Sequence, residues 1–181
     1  YCVGQNYAEH AAEMGGDGRQ PPFFFSKPAD ALVPGGGDVA YPPQTVNLQH
    51  EVELVVALAK GGSDITVAQA LDCVFGYAIG FDLTRRDLQA RAKAMQRSWD
   101  LGKNFEGSAV LSALTPAADF QPAGQRIHLD VNGTTRQDSV ISDMVWSIPE
   151  IIADLSQYYH LAPGDLIMTG PTGTNVMDMT A

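Results

Sequence analysis

The segment that most constrains the fold is Gln49-His50-Glu51-Val52-Glu53-Leu54, which runs straight into Val55-Val56-Ala57-Leu58 and stops at Gly61-Gly62. Val52 and the apolar run that follows have the length and β-branched content of a buried strand. In an extended chain residues two apart share a face, so Glu51 and Glu53 project side by side. Two adjacent carboxylates at the mouth of a buried strand repel each other and are costly to desolvate. Two arrangements relieve that cost: a hard divalent cation takes both as oxygen ligands, or the strand lies at an edge with its acidic face in water.

Asp82 closes a second apolar stretch, Val74-Phe75-Gly76-Tyr77-Ala78-Ile79-Gly80-Phe81, where a lone acid needs a partner. Its alternative role is to cap the helix expected after Thr84. With Glu51 and Glu53 it makes a set of carboxylates that favours Mg2+, Mn2+ or Ca2+ over zinc, since no suitable Cys/His group accompanies it. Three protein oxygens also leave positions for water and a chelating substrate. Arg86 and Gln89 are three apart in a helix expected over Arg85–Met95 and share a face; Lys103 follows after a loop. A guanidinium, an amide and an ammonium near a metal suit a carboxylate- or keto-bearing substrate. An ordinary charged surface helix is the alternative, and it is the simpler account of Arg85, Asp87 and Arg91.

His10 and Glu13 fall on one face of a single helical turn. A carboxylate touching an imidazole fixes its tautomer and raises its basicity, as a water-activating general base requires; a solvated surface pair is the alternative. His50, His128 and His160 lack such a neighbour in sequence and are read as structural. Trp99, Trp146 and Phe23-Phe24-Phe25 are read as packing, with the phenylalanines also placed to line a pocket under a lid. Nucleophile signatures are absent: there is no G-x-S-x-G elbow, and neither Cys2 nor Cys73 has a histidine or basic residue beside it.

Elsewhere Gly15-Gly16, Pro21-Pro22, Pro28, Pro34 and Gly35-Gly36-Gly37 punctuate residues 1–45 so densely that only short elements fit. Val67, Leu71 and Val74 sit at helical spacing within Asp64–Gly76. Ile127, Leu129 and Val131 alternate up to Asn132-Gly133, a hairpin signal. Ser147-Ile148-Pro149-Glu150 is a capping box opening a helix through Leu155. Pro163-Gly164-Asp165 turns the chain into a strand over Leu166–Thr169. This is a strand-rich, mixed α/β pattern with short helices, and the lack of a strand–GxGxxG–helix unit argues against a Rossmann nucleotide site.

At 181 residues, 45% hydrophobic and 18% charged, the chain suits a single globular domain. A net charge of −10 opposes binding to nucleic acid or to anionic membranes. No apolar run reaches the roughly 18 residues of a spanning helix. Two cysteines are too few for a disulfide framework, so the cytoplasm is the expected compartment. A start at Tyr1 without Met and a stop after Met179-Thr180-Ala181 read as an excerpt of a longer protein.

Taken in order, Gly4-Gln5-Asn6-Tyr7 with His10-x-x-Glu13, Phe24-Phe25-Ser26-Lys27-Pro28, His50-Glu51-Val52-Glu53-Leu54, Gly80-Phe81-Asp82-Leu83-Thr84-Arg85-Arg86-Asp87-Leu88-Gln89 and Gly102-Lys103-Asn104-Phe105 resemble the fumarylacetoacetate hydrolase family. Val131-Asn132-Gly133 and Pro163-Gly164-Asp165-Leu166-Ile167 match its later landmarks. The stretches 22–31 and 84–89 look most like the bacterial branch that acts on fumarylpyruvate in gentisate breakdown. The resemblance implies a β-roll with short peripheral helices, a homodimer, and a site dependent on Mg2+ or Mn2+. Residues 1–181 would be one catalytic domain, with a lid and loop-rich part at 1–45, a metal-binding roll at 46–181, and the family's further C-terminal strands missing. By match of motif, Glu51, Glu53 and Asp82 would hold the metal, and Arg86, Gln89 and Lys103 the substrate. His10, oriented by Glu13, would activate water from a lid over residues 8–25, and Lys103 would stabilise oxyanion charge.

The implied reaction is hydrolysis of the C–C bond of an acylpyruvate, a small 2,4-dioxo acid, such as fumarylpyruvate giving fumarate and pyruvate. Oxaloacetate-type decarboxylation, dienoate isomerisation and non-catalytic ligand binding are the alternatives. One departure stands out: where the family reads Thr-Gly-Thr-Pro, with the second Thr touching substrate, this chain has Thr169-Gly170-Pro171-Thr172.

Overall fold

The computed structural model describes residues 1–7 and 19–172. In chain order the strands are β1 (Cys2–Gly4), β2 (Phe23–Phe25), β3 (Leu32–Pro34), β4 (Leu48–Gln49), β5 (Val52–Leu58), β6 (Val74–Asp82), β7 (Thr84–Arg85), β8 (Ala109–Leu111), β9 (Thr115–Pro116), β10 (Arg126–Val131), β11 (Thr134–Val140) and β12 (Leu166–Met168). The helices are α1 (Val67–Ala70), α2 (Arg86–Ala94), α3 (Asp100–Lys103) and α4 (Ile148–Tyr158). As the glycines and prolines of the first 45 residues require, the described residues there form only short strands and one 3-10 turn.

The main sheet runs β2-β1-β12-β5-β6-β8-β3, with β9 pairing β6. It is mixed: β1 lies parallel to β12 and β3 parallel to β8, and the other neighbours are antiparallel. β5 sits between β12 and β6 and is buried along its whole length. Leu54 and Val56 face a core shared with Ile127, Ile152, Leu155 and Ile167, while Val55 faces a second core of Cys2, Ala78, Leu111 and Met168. A strand covered on both faces reads as a continuous apolar run, which is what Leu54–Leu58 shows.

The hairpin forms as its alternation predicts. Asn132 and Gly133 both have positive φ (52° and 74°), and β10 and β11 pair on either side of them. α4 extends beyond the expected Leu155 and buries Ile148, Ile151, Ile152 and Leu155 at helical spacing. Its start is fixed by Glu150 Oε2, which accepts from Ser147 N (3.0 Å) and Ser147 Oγ (2.7 Å). Each of those buried apolar side chains stabilises the fold by roughly 1.5–3 kcal/mol.

The helix expected over Asp64–Gly76 is much shorter. α1 lasts one turn, Leu71–Cys73 is 3-10, and Val67 and Leu71 are exposed. The reason is Val74, which pairs with Leu58 and opens β6 rather than closing a helix. Neither cysteine is disulfide-bonded. No helix among the described residues is long and apolar enough to cross a membrane.

Candidate metal centre and substrate site

Glu51 enters the site from the residue before β5, Glu53 from its second position and Asp82 from the last position of β6. The backbone joins them: Asp82 N donates to Glu51 O at 2.9 Å, and Glu53 pairs with Gly80 across the ladder. One carboxylate oxygen of each lies within 4.8 Å of the others, and all three side chains are buried. The edge-strand alternative for Glu51 and Glu53 is therefore wrong, because β5 is internal. Capping of α2 by Asp82 is wrong too, because Arg85 holds the N-cap position.

The cations are arranged around this cluster. Lys103 Nζ donates to Glu51 Oε2 (2.7 Å), Asp82 Oδ2 (2.6 Å) and Thr84 Oγ1 (2.7 Å), which uses all three ammonium hydrogens. Arg86 pairs with Glu51, while its Nε donates to Gln49 Oε1 and its Nη1 to Gln89 Oε1, each at 2.6 Å. The predicted shared face of Arg86 and Gln89 is thus real. It is set by β4 pairing with β7, which starts α2 beside the triad, and by Arg86 N donating to Asn47 O.

Two carboxylates two residues apart end up with opposite proton affinities. Burial pushes Glu51 up, but the charges of Lys103 and Arg86 outweigh it and hold the group far below the usual range. Burial, Asp82 and Glu51 together hold Glu53 well above that range, against weaker help from Lys103 and the Gly170 amide. Lys103 is pushed up to about 12: burial lowers it, and Asp82 and Glu51 more than compensate.

The donor set fits a hard divalent cation. Glu53 Oε1 is buried and has no hydrogen-bond partner among the described residues, although Oε2 accepts from Gly170 N at 2.8 Å. Asp82 Oδ1 lies 2.9 Å from Lys27 Nζ in an ion pair but makes no hydrogen bond of good geometry. An orphaned anionic oxygen such as Glu53 Oε1 is costly in a dry site, and a cation held between the carboxylates satisfies it. Glu51, Glu53 and Asp82 would hold it.

A small pocket opens beside the triad, walled by Val3, Phe25, Trp99 and Pro171 with Arg86 and Gln89. Trp99 packs on Phe23 and Phe25 at ring-centroid distances of 4.8 and 6.2 Å; Trp99 and Phe25 also wall the pocket, while Phe23 only packs. Gly170 carries the loop past this site at φ +101°, where an added Cβ would lie 2.7 Å from Asn6 Cβ. Pro171 lines the pocket where the family pattern has threonine, so a hydroxyl contact from that position is absent.

His10 and Glu13 lie outside the described residues. Sequence reasoning missed several partners of the site. Lys27, quoted only as part of a motif, is a buried cation on Asp82 whose Nζ also donates to the carbonyls of Leu83 (3.2 Å) and Lys103. Asn6 is fully buried and ties the N-terminal segment to Trp146 O and Thr169 O (3.0 and 2.8 Å). The histidines read as unpartnered have partners: His50 meets Gln137 and His160 meets Ser63, both at 3.2 Å, and His128 meets Asp130 at 3.4 Å. A lysine amid aromatics just before a proline was the available signal for Lys27; nothing local marked Gln137.

The family model described as Fumarylacetoacetate (FAA) hydrolase C-terminal matches residues 1–180. A fumarylpyruvate hydrolase from Ralstonia sp is 46% identical over 156 residues, covering 86% of this chain and 81% of that protein. The mitochondrial oxaloacetate tautomerase FAHD1 of Mus musculus is 44% identical over 170 residues, covering 93% and 77%. Among solved structures, fumarylpyruvate hydrolase from Pseudomonas aeruginosa in complex with Mn2+ and pyruvate superposes with a TM-score of 0.92 at 48% identity. The match covers 99% of this chain and 79% of that one.

Proposed function

The chain belongs to the fumarylacetoacetate hydrolase family, and on that premise we propose that it hydrolyses the C–C bond of an acylpyruvate, fumarylpyruvate giving fumarate and pyruvate. The observation that carries the reading is the buried Glu51, Glu53, Asp82 cluster with an unpartnered carboxylate oxygen. When bound there, Mg2+ or Mn2+ supplies a Lewis acid for the 2,4-dioxo group and stabilises negative charge on the departing enolate. With Glu53 ionised, the three carboxylates face Lys27, Arg86 and Lys103, so an added divalent charge suits a dianionic substrate.

Arg86 and Gln89 orient the substrate's oxygens from one face of α2. Lys103 exchanges one of its three acceptors for a substrate oxygen and steadies the oxyanion there. His10, oriented by Glu13, removes the proton of the attacking water. The Phe25 and Trp99 rings keep solvent from the acyl group. We place the protein in aromatic catabolism, as a cytoplasmic homodimer with a single catalytic domain, on the strength of its motifs.

The test is fumarylpyruvate decay followed by ultraviolet absorbance. Decay is expected to need Mg2+ or Mn2+, to stop with EDTA, and to fall about 100-fold or more in His10→Ala, the usual share of a general base. Decay indifferent to EDTA would contradict the reading. The similarity to an oxaloacetate tautomerase favours a second reading, enol–keto conversion or decarboxylation of oxaloacetate at this same site. Metal-dependent turnover of oxaloacetate without acylpyruvate cleavage would select it.

A further inference from the structure

Gln137 lies on β11, opposite Leu129 in the hairpin register, and is 1% exposed. Its amide orientation is fixed by partners with no choice of role. Oε1 accepts from the backbone N–H of Val52 at 2.9 Å, and Nε2 donates to the backbone carbonyl of Thr172 at 3.0 Å. Nε2 also lies 3.1 Å from Thr172 Oγ1, and His50 Nδ1 approaches Oε1 at 3.2 Å. Since Oε1 only accepts, the His50 contact is a hydrogen bond when Nδ1 carries the hydrogen.

His50 and Val52 flank Glu51, and Thr172 follows the Gly170 that donates to Glu53 and the Pro171 that walls the pocket. One side chain from a hairpin outside the main sheet therefore grips both the segment presenting Glu51 and the loop bounding the substrate pocket. We propose that Gln137 is a positioning residue, setting the carboxylates and the 170–172 loop in register with each other. This rests on the metal-dependent reading above. Loss of the amide strands the Val52 N–H and the Thr172 carbonyl in a dry site, so both segments must move to recover partners.

The test is Gln137→Met, which keeps the volume and removes every hydrogen bond, made in the full chain alongside Ser156→Ala. Ser156 is also buried and bonded, to Ile65 N and Ala153 O, but it is remote from the triad. Mn2+ affinity, and KM and kcat for fumarylpyruvate at saturating Mn2+, are read for each variant. Gln137→Met is expected to weaken Mn2+ binding by about 10–100-fold, the range seen for groups that orient metal ligands, and to raise KM. Ser156→Ala is expected to lower the melting temperature with both constants unchanged.

A Gln137→Met protein that melts earlier yet keeps native Mn2+ affinity and KM has lost only packing, which overturns the inference. Where Gln137→Met does not fold, Gln137→Glu decides, since it keeps the acceptor for Val52 and removes the donor to Thr172. KM raised about tenfold supports the inference, and an unchanged KM overturns it. Absence of Mn2+ binding by the unsubstituted chain overturns the metal reading, and this inference falls with it.

Discussion

Two sets of ion pairs in this molecule use the same chemistry to opposite ends. At the mouths of β5 and β6, Lys103 and Arg86 meet Glu51 and Asp82 in a region where the carboxylates and Lys103 are nearly inaccessible to water. On the hairpin, Arg126 meets Asp138 across β10 and β11 at the surface, with side chains 68% and 35% exposed. The hairpin pair is screened by solvent and contributes little to stability. The buried set exists only because each charge compensates another, so it is rigid and intolerant of deletion. The position of charge relative to the core, rather than the number of ion pairs, marks the functional site.

The contrast is broken most severely by Lys103→Met, which leaves Glu51 and Asp82 buried with one cation fewer. Stability from denaturant unfolding is expected to fall by about 3–5 kcal/mol, with activity lost. Next comes pH. Because burial, Asp82 and Glu51 hold Glu53 above the ordinary carboxylate range, it ionises at a higher pH than a free glutamate, and below that pH the metal must displace its proton. Apparent Mn2+ affinity should rise about tenfold per pH unit while Glu53 is protonated, and level off once it ionises; a calorimetric titration series checks this.

A smaller effect is expected at the α4 cap. Ser147→Ala should cost about 1 kcal/mol. Hydrogen bonds from the Ser147 side chain and backbone, with Arg19, hold Glu150 down to about 2. Its contribution is thus fully present above the ordinary glutamate range and lost as pH falls toward about 2. Ser147→Ala should flatten that part of the stability profile. Arg126→Ala, at the other extreme, should leave the unfolding midpoint unchanged, and a clear drop there would erase the distinction between the two regions.

The local parts of this picture were legible in the sequence. Alternation located β10, a capping box located α4, and two-residue spacing put Glu51 and Glu53 on one face. What stayed hidden was long-range. Periodicity says which residues share a face but not which strands pair, so Cys2 beside Met168 in a parallel ladder had no local signature. The same limit hid Gln137, which meets His50 from 87 residues away, and Lys27, a loop residue whose partner Asp82 ends β6. The one-turn α1 failed for a different reason: β6 claims Val74, and sheet pairing outweighs local helical spacing.

The most direct test of the central claim is Mn2+ binding by the full chain and by Asp82→Asn, measured by calorimetry in two buffers of different ionisation enthalpy. The account predicts a single tight site that is lost in Asp82→Asn, and that releases a proton on binding at any pH where Glu53 is still protonated. Equal Mn2+ binding by the two proteins would contradict it.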